Sequence, residues 1–195
     1  KGNFHPEFIT DLPDNFTLEF DLGVNDDWNS YPIAVNIVKL KEADDYLNFG
    51  YSASWPGDHV VHLNFKPAVN SSKTDGNSMI QAGKTGELYN NATFSNWDNT
   101  KNKFAHISIW RQKQRLRVYL NGAKIWDIPR AFDATATYNA ITFGTTDPYK
   151  DGDLMLLNNI RLAVGAPDTR NKLITEGKYV TRGILFDVNS DVVKA

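Results

Sequence analysis

The stretch Phe104-Ala105-His106-Ile107-Ser108-Ile109-Trp110, continued by Leu116-Arg117-Val118-Tyr119-Leu120-Asn121-Gly122, is the strongest indication of the fold class. Apolar and polar residues alternate in both parts, and this period of two is typical of half-buried β-strands. A polar turn, Gln112-Lys113-Gln114, separates the two parts, and Asn121-Gly122 is the strongest short signal for a β-hairpin. A third strand over residues 123–128 completes a predicted antiparallel meander.

The same alternation predicts which side chains of the meander are buried. Phe104, His106, Ser108 and Trp110 share one face of the first strand, and the residues between them share the other. A register slip of one residue would exchange the two faces, because successive side chains of a strand point in opposite directions. We therefore expect one apolar set in the core: Ile107, Ile109, Leu116, Val118 and Leu120.

Further strands are predicted on both sides of the meander. In chain order they cover residues 16–22, 33–41, 46–54, 59–65, 78–82, 87–93, 140–145, 154–164 and 179–188. Turn-forming residues separate them, and no stretch has a convincing helical period. Many short strands of this kind predict an all-β fold, an antiparallel jelly-roll β-sandwich.

The polar composition agrees with this prediction and excludes several functions. The chain has 20 Asn and 18 Asp but only 5 Glu, and Asn and Asp favour turns whereas Glu favours helices. A net charge of −2 with scattered Lys and Arg argues against a nucleic-acid partner, which needs a basic patch. The absence of Cys excludes disulfides and thiolate metal sites, and no apolar run is long enough for a transmembrane helix.

The meander resembles the central hairpins of laminin-G-like and concanavalin A-like domains. In those families a His or similar residue precedes an alternating strand, and a Tyr-x-Asn/Asp-Gly turn follows, as at residues 119–122. Residues 16–22 and 159–162 resemble the flanking strands. The resemblance implies a concanavalin A-like or laminin-G-like sandwich over residues 1–165, but no single function, because these families include lectins, glycosidases and adhesion modules.

The tail carries a second resemblance. Residues 173–191, with Ile184-Leu185-Phe186-Asp187-Val188-Asn189-Ser190, resemble the entry into an OmpA-like C-terminal domain, as in Bacteroidetes-type outer-membrane proteins. The resemblance implies a linker at residues 166–178 and the opening strand of a truncated OmpA-like domain at 179–195. It also implies a place in the Gram-negative cell envelope: the outer membrane, the periplasm or the cell surface. The family's peptidoglycan-binding residues lie beyond this strand, so we assign no peptidoglycan binding.

Candidate catalytic residues are few. Glu19-Phe20-Asp21 matches the first half of the motif that carries the two carboxyl groups of retaining glycosidases in concanavalin A-like sandwiches, and those enzymes need the two groups about 5 Å apart. The second Glu falls on Val24 or Asn25, neither of which has a carboxyl group. The four His residues indicate no metal pair, and His106 has no evident carboxylate or nucleophile beside it. We therefore expect no enzymatic activity and no catalytic residue.

Two kinds of ligand site are predicted in the loops. Aromatic residues lie among Asn, Asp, Ser and Pro, where their rings could stack on sugars or instead plug the ends of the sandwich: Trp28, Tyr31, Trp55, Trp97 and Tyr149. Asp147, Asp151 and Asp153 supply hard oxygen ligands for calcium, although Asp-Gly pairs are also ordinary turn formers.

These observations favour a non-catalytic extracytoplasmic module of an OmpA-family outer-membrane protein. It would serve cell-envelope organisation, adhesion or ligand binding, with a glycan or a cell-envelope protein as its partner and an undetermined oligomeric state. The alternative is a carbohydrate-binding or glycan-cleaving domain on the same fold. An aromatic-lined groove on one sheet would favour the alternative.

Overall fold

A computed structural model describes residues 2–25, 28, 32–40, 42, 60–68, 75–83, 86–98, 104–145 and 152–165. All of them belong to the first of the two units into which the contacts divide the chain, residues 1–165. The predicted strand at 46–54, the linker at 166–178 and the OmpA-like segment at 179–195 lie outside the described residues, so these expectations stay predictions.

The described residues form eleven strands and no helix, which confirms the all-β prediction. The strands are β1 Gly2–Phe4, β2 Asn15–Val24, β3 Ile33–Val38, β4 Val61–Lys66, β5 Gly76–Ala82, β6 Leu88–Phe94, β7 Phe104–Gln112, β8 Arg115–Leu120, β9 Ala123–Ile128, β10 Ala140–Thr145 and β11 Met155–Val164. A six-stranded antiparallel sheet has the order β1-β10-β3-β4-β5-β6, and a five-stranded sheet has the order β11-β2-β7-β8-β9.

The meander β7–β8–β9 has the predicted register. Ile107, Ile109, Leu116, Val118 and Leu120 are all 0% exposed, as the alternation requires. Asn121 and Gly122 both have positive φ, +49° and +81°, which the tight hairpin turn between right-twisted strands demands. The central hairpin is therefore confirmed residue by residue.

The core lies between the inner faces of the two sheets. Phe20 of the five-stranded sheet packs edge-on against Phe143 of the six-stranded sheet, with ring centroids 5.0 Å apart. A buried hydrogen bond also joins the sheets: the indole N–H of Trp126 donates to Ser78 Oγ at 3.0 Å. Aromatic packing and this hydrogen bond together fix how the sheets lie against each other.

We expect Trp126 and Ser78 to be coupled by about 1 kcal/mol in the free energy of unfolding. Removing one partner of a buried hydrogen bond leaves the other unsatisfied, whereas removing both leaves no such penalty. A double-mutant cycle with Trp126→Phe and Ser78→Ala, measured by denaturant titration, isolates this term from the loss of ring volume. Strictly additive single effects would contradict the role given to this bond.

Candidate functional site

Two of the aromatic residues predicted to bind ligand are in the interior. Trp28 is 2% exposed and Trp97 is 0% exposed, and the Trp97 ring stacks on Phe94 with centroids 6.4 Å apart. Both side chains belong to the core cluster, so the structural interpretation of these two rings replaces the ligand-stacking one. Tyr31, Trp55 and Tyr149 lie outside the described residues.

The calcium prediction is not decided by the described residues. Asp147 and Asp151 lie outside them, and the third predicted ligand, Asp153, is half-buried. In the part of the chain that the structure describes, no group of three or more His, Cys, Asp or Glu side chains could hold a metal ion. The calcium site stays a prediction.

The outer face of the six-stranded sheet carries a row of hydrogen-bonding side chains that the sequence did not single out. The pairing of β10, β3, β4, β5 and β6 places one residue from each strand side by side, Thr142, Asn36, His62, Gln81 and Tyr89, which we call the polar row. In β4 the reason is the alternation Val61-His62-Leu63-Asn64-Phe65, which sends the apolar side chains to the core.

One end of the polar row, formed by Thr142, Asn36 and His62, is buried, and hydrogen bonds join these three side chains. His62 is 4% exposed, and Asn36 and Thr142 are 0% exposed. Asn36 donates through Nδ2 to Thr142 Oγ1 at 3.1 Å, so its Oδ1 faces His62 Nδ1 at 2.5 Å. These contacts hold the three side chains in fixed orientations.

The His62 imidazole is neutral at pH 7, because burial lowers its pKa from 6.5 to about 4. Its Nδ1 carries the proton that is donated to Asn36 Oδ1. Nε2 is then an acceptor, and among the described residues this buried nitrogen has no hydrogen-bond partner. A buried acceptor without a donor is costly, and Gln81 on β5 is the cross-strand neighbour of His62.

The outer end of the row is open to solvent. Tyr89 is 60% exposed, Gln81 is half-buried, and the amides of Asn77 and Asn91 are exposed. We call Asn77, Met79, Gln81, Tyr89, Asn91 and Thr93 the open end; they pair across β5 and β6 on one face. An aromatic ring among groups that both donate and accept hydrogen bonds suits a ligand with apolar faces and many hydroxyls.

Glu19 and Asp21, the half-motif of the sequence, lie on β2 in the other sheet. Burial acts to raise the pKa of Asp21, but hydrogen bonds from Asn159 and His106 bring it below its ordinary value. Asn25 is used structurally: its side chain donates to the Gly152 carbonyl and accepts from the Leu154 amide.

We expect no turnover of β-glucans such as laminarin or xylan. The position of the second Glu, which would be the acid/base, falls on Val24 or Asn25, and neither has a carboxyl group, so a retaining mechanism lacks its acid. Reducing-sugar release is the measurement, with Glu19→Gln as the control variant. Turnover by the wild type that disappears in Glu19→Gln would contradict this expectation.

Comparison with protein-family models finds no family that matches the sequence, and comparison with curated proteins finds no match. Among solved structures, the chain is similar to a double mutant of human galectin-16, with a TM-score of 0.52 and 12% identity over 84% of this chain and 95% of that one. It is also similar to lactose- and MES-liganded congerin II, with a TM-score of 0.50 and 12% identity over 80% and 97%. The alginate lyase AlyC3 matches with a TM-score of 0.46 and 17% identity over 79% and 66%.

Identities this low show a shared fold alone. The fold is an antiparallel β-sandwich of the concanavalin A-like type, as expected from the meander. Neither the family models nor these structures support the OmpA or laminin-G resemblance, and both stay predictions. No helix within the described residues could span a membrane.

Proposed function

We propose that this domain is a saccharide-binding module and that its site is the open end on β5 and β6. The observation that carries the proposal is the exposed Tyr89 ring at the end of the polar row, beside the amides of Gln81 and Asn91. The strands position these groups, so binding requires little ordering of the site.

The chemistry of the open end matches a sugar. A tyrosine ring offers a flat apolar face at low conformational cost and a hydroxyl at its tip. The Gln81 amide is held by donation from its Nε2 to the Gly86 carbonyl at 3.3 Å, which leaves its oxygen as an acceptor.

The six residues of the open end are all uncharged, which favours a neutral saccharide. Among the described residues, the half-buried Lys66 on β4 is a cross-strand neighbour of Asn77. The similarity in fold to galectin-16 and congerin II supports the proposal, since the congerin II structure has lactose as a ligand. Lactose is therefore the first probe, followed by a panel of neutral disaccharides.

We expect Tyr89→Ala to weaken saccharide binding at least tenfold, which equals about 1.4 kcal/mol. The matched control is Phe8→Ala, because Phe8 is 62% exposed and Tyr89 60% exposed, yet Phe8 lies outside the sheet face. Isothermal titration calorimetry with the best disaccharide of the panel is the measurement. Equal affinities of Tyr89→Ala and Phe8→Ala, or no binding of any saccharide to the wild type at millimolar concentration, would overturn the proposal.

The cellular role is a second part of this proposal. A saccharide-binding sandwich ahead of an OmpA-like segment would serve as a non-catalytic adhesion or anchoring module in the cell envelope. The support is the sequence resemblance of residues 173–191. Fractionation of cells that express the full chain tests this part, and recovery in the cytoplasm would contradict it.

A further inference from the structure

The outer face of the five-stranded sheet joins an aspartate, a histidine and a serine in one chain of contacts. His106 Nδ1 lies 2.8 Å from Asp21 Oδ1, and His106 Nε2 lies 3.4 Å from Ser108 Oγ. The two ring nitrogens thus have different partners, a carboxylate on one side and a hydroxyl on the other. The sequence alone indicated no carboxylate and no nucleophile beside His106. The pairing of β2 with β7 brings the carboxylate of Asp21 next to it.

Neighbouring strands hold this Asp21–His106–Ser108 chain in place. Asn159 donates through Nδ2 to Asp21 Oδ2 at 2.5 Å. It lies where the register of β11 shifts and has a positive φ of +52°. Bulges and left-handed residues of this kind occur next to functional sites, where they re-aim a side chain.

His106 is anchored through its backbone as well. Its amide donates to Asn121 Oδ1, and its carbonyl accepts from the Asn121 amide, both at 2.8 Å. The imidazole itself is half exposed, with 50% of its side-chain surface accessible. A reactant can therefore reach the ring, while the hairpin turn fixes its position.

We propose that Ser108 is an activated nucleophile and that this face is an acyl-transfer site for small acyl esters, a function beyond saccharide binding. Nucleophile, base and orienting carboxylate within hydrogen-bonding reach are the signature of nucleophilic catalysis, and such contacts are often long without substrate. An activity of this kind revises the expectation of a module without enzymatic activity.

The proposed ester hydrolysis needs only the residues of the site, the ester and water. Ser108 Oγ bonds to the ester carbonyl carbon, and His106 Nε2 takes the hydroxyl proton. The bond to the alkoxy group breaks, and that proton passes to the leaving alcohol. Water then hydrolyses the acyl-serine through the same imidazole, which regenerates Ser108 and releases the carboxylic acid.

The residues around Ser108 limit the size of the acyl group, and they lie where negative charge develops during the reaction. Ser108 is 9% exposed, so only a short acyl group reaches its oxygen. Tyr119 on β8 is the cross-strand neighbour of Ser108, and its hydroxyl can donate to an oxyanion. Glu19 Oε1 lies 3.5 Å from Ser108 Oγ and is a second acceptor for the proton of Ser108. Arg161 is the cross-strand neighbour of Glu19.

The test is covalent labelling by a small alkyl fluorophosphonate, followed by peptide mass spectrometry, together with hydrolysis of p-nitrophenyl acetate. We expect the label on Ser108 in the wild type, and its loss in Ser108→Ala and in His106→Gln. Asp21→Asn should lower the labelling rate at least tenfold, and Asp21→Glu, which keeps a carboxylate, should restore part of it. The matched control is Ser95→Ala, which removes an exposed serine from a loop and should label like the wild type.

An unlabelled wild type, a label on another residue, or labelling that persists in Ser108→Ala would overturn the proposal. Thermal unfolding of each variant shows whether it is folded, and Ser108 lies on an outer face where truncation to Ala leaves the core intact. Saccharide titration of Ser108→Ala separates this proposal from the proposed function, because the two sites are on different sheets. Unchanged saccharide binding with lost labelling is the expected combination.

Discussion

Replacing Arg111 by Ala lowers the free energy of unfolding by about 4 kcal/mol, the largest single effect that we expect in this domain. Arg111 is 3% exposed because it falls on the inward-facing side of β7. Its guanidinium group donates to three backbone carbonyls and one carboxylate: those of Leu12, Pro13, Lys113 and Asp14.

Two aromatic rings complete the environment of this cation. The guanidinium carbon lies 4.5 Å from the centroid of the Phe132 ring and 4.9 Å from that of Tyr138, distances at which cation–π attraction is effective. Arg111→Ala removes this attraction and the donor to the buried Leu12 carbonyl, and a buried acceptor without a donor costs about 1–3 kcal/mol.

Denaturant titration of Arg111→Ala is the measurement, with Asp14→Asn as the matched control. The Asp14 side chain is 68% exposed, so its ion pair contributes less than about 1 kcal/mol. A loss below about 1 kcal/mol in Arg111→Ala would show that the guanidinium group does not hold the segment before β2 to β7.

Acidification from pH 7 to pH 4 is expected to remove about 3 kcal/mol of stability through His62 alone. Burial lowers the pKa of this imidazole to about 4 in the folded protein, against 6.5 in the unfolded chain. Between these two pKa values the unfolded chain binds a proton at His62 that the folded protein does not bind. The free energy of unfolding therefore falls as the pH falls. His62 makes its full contribution to stability above pH 6.5, and this contribution decreases until the pH reaches about 4.

The variant that isolates this effect is His62→Gln, which keeps a polar side chain at the same position of β4. Its stability should change less than that of the wild type over the same pH range, because the titrating group is gone. Chemical unfolding at closely spaced pH values is the measurement. Parallel curves for the two proteins would mean that His62 does not stay neutral in the folded state.

The sequence predicted the strands better than the sites because strand patterning is local. The burial pattern of the meander from Phe104 to Ile128 could be predicted, since alternation and the Asn121-Gly122 turn act within a few positions, although Gln112 belongs to β7 and not to the predicted turn. The same alternation puts Arg111 on the inward-facing side of β7. Its acceptors, however, come from residues 12–14, and local patterning carries no information on such a partner.

Two of the five aromatic residues predicted to bind ligand are buried, and the reason is physical. Trp28 and Trp97 are surrounded in sequence by Asn, Asp and Ser, which indicates a polar loop. Their rings are nevertheless buried in the core cluster, because a large apolar side chain next to a loop gains more by turning inward. Tyr89 was missed because it falls within a predicted strand, where an exposed ring looks like ordinary alternation.

The buried end of the polar row and the proposed acyl-transfer site depend on contacts that are distant in sequence. Asn36 and Thr142 are 106 positions apart, and Asp21 and His106 are 85 positions apart. Only the strand order brings them together. One signal was available for the polar row: Asn36 interrupts β3, which is otherwise apolar, and a polar residue in a buried strand needs a partner.

The most direct test of the saccharide site is a map of backbone amide shifts in ¹H–¹⁵N NMR spectra during titration with a neutral disaccharide that binds. We predict that the largest shifts occur at Gln81, Tyr89 and Asn91, on the paired strands β5 and β6. Smaller shifts should follow the polar row inward to His62. Largest shifts on β7 and β8 of the five-stranded sheet, or in the loops around Trp28 and Trp97, would contradict the assignment of the saccharide site to the open end.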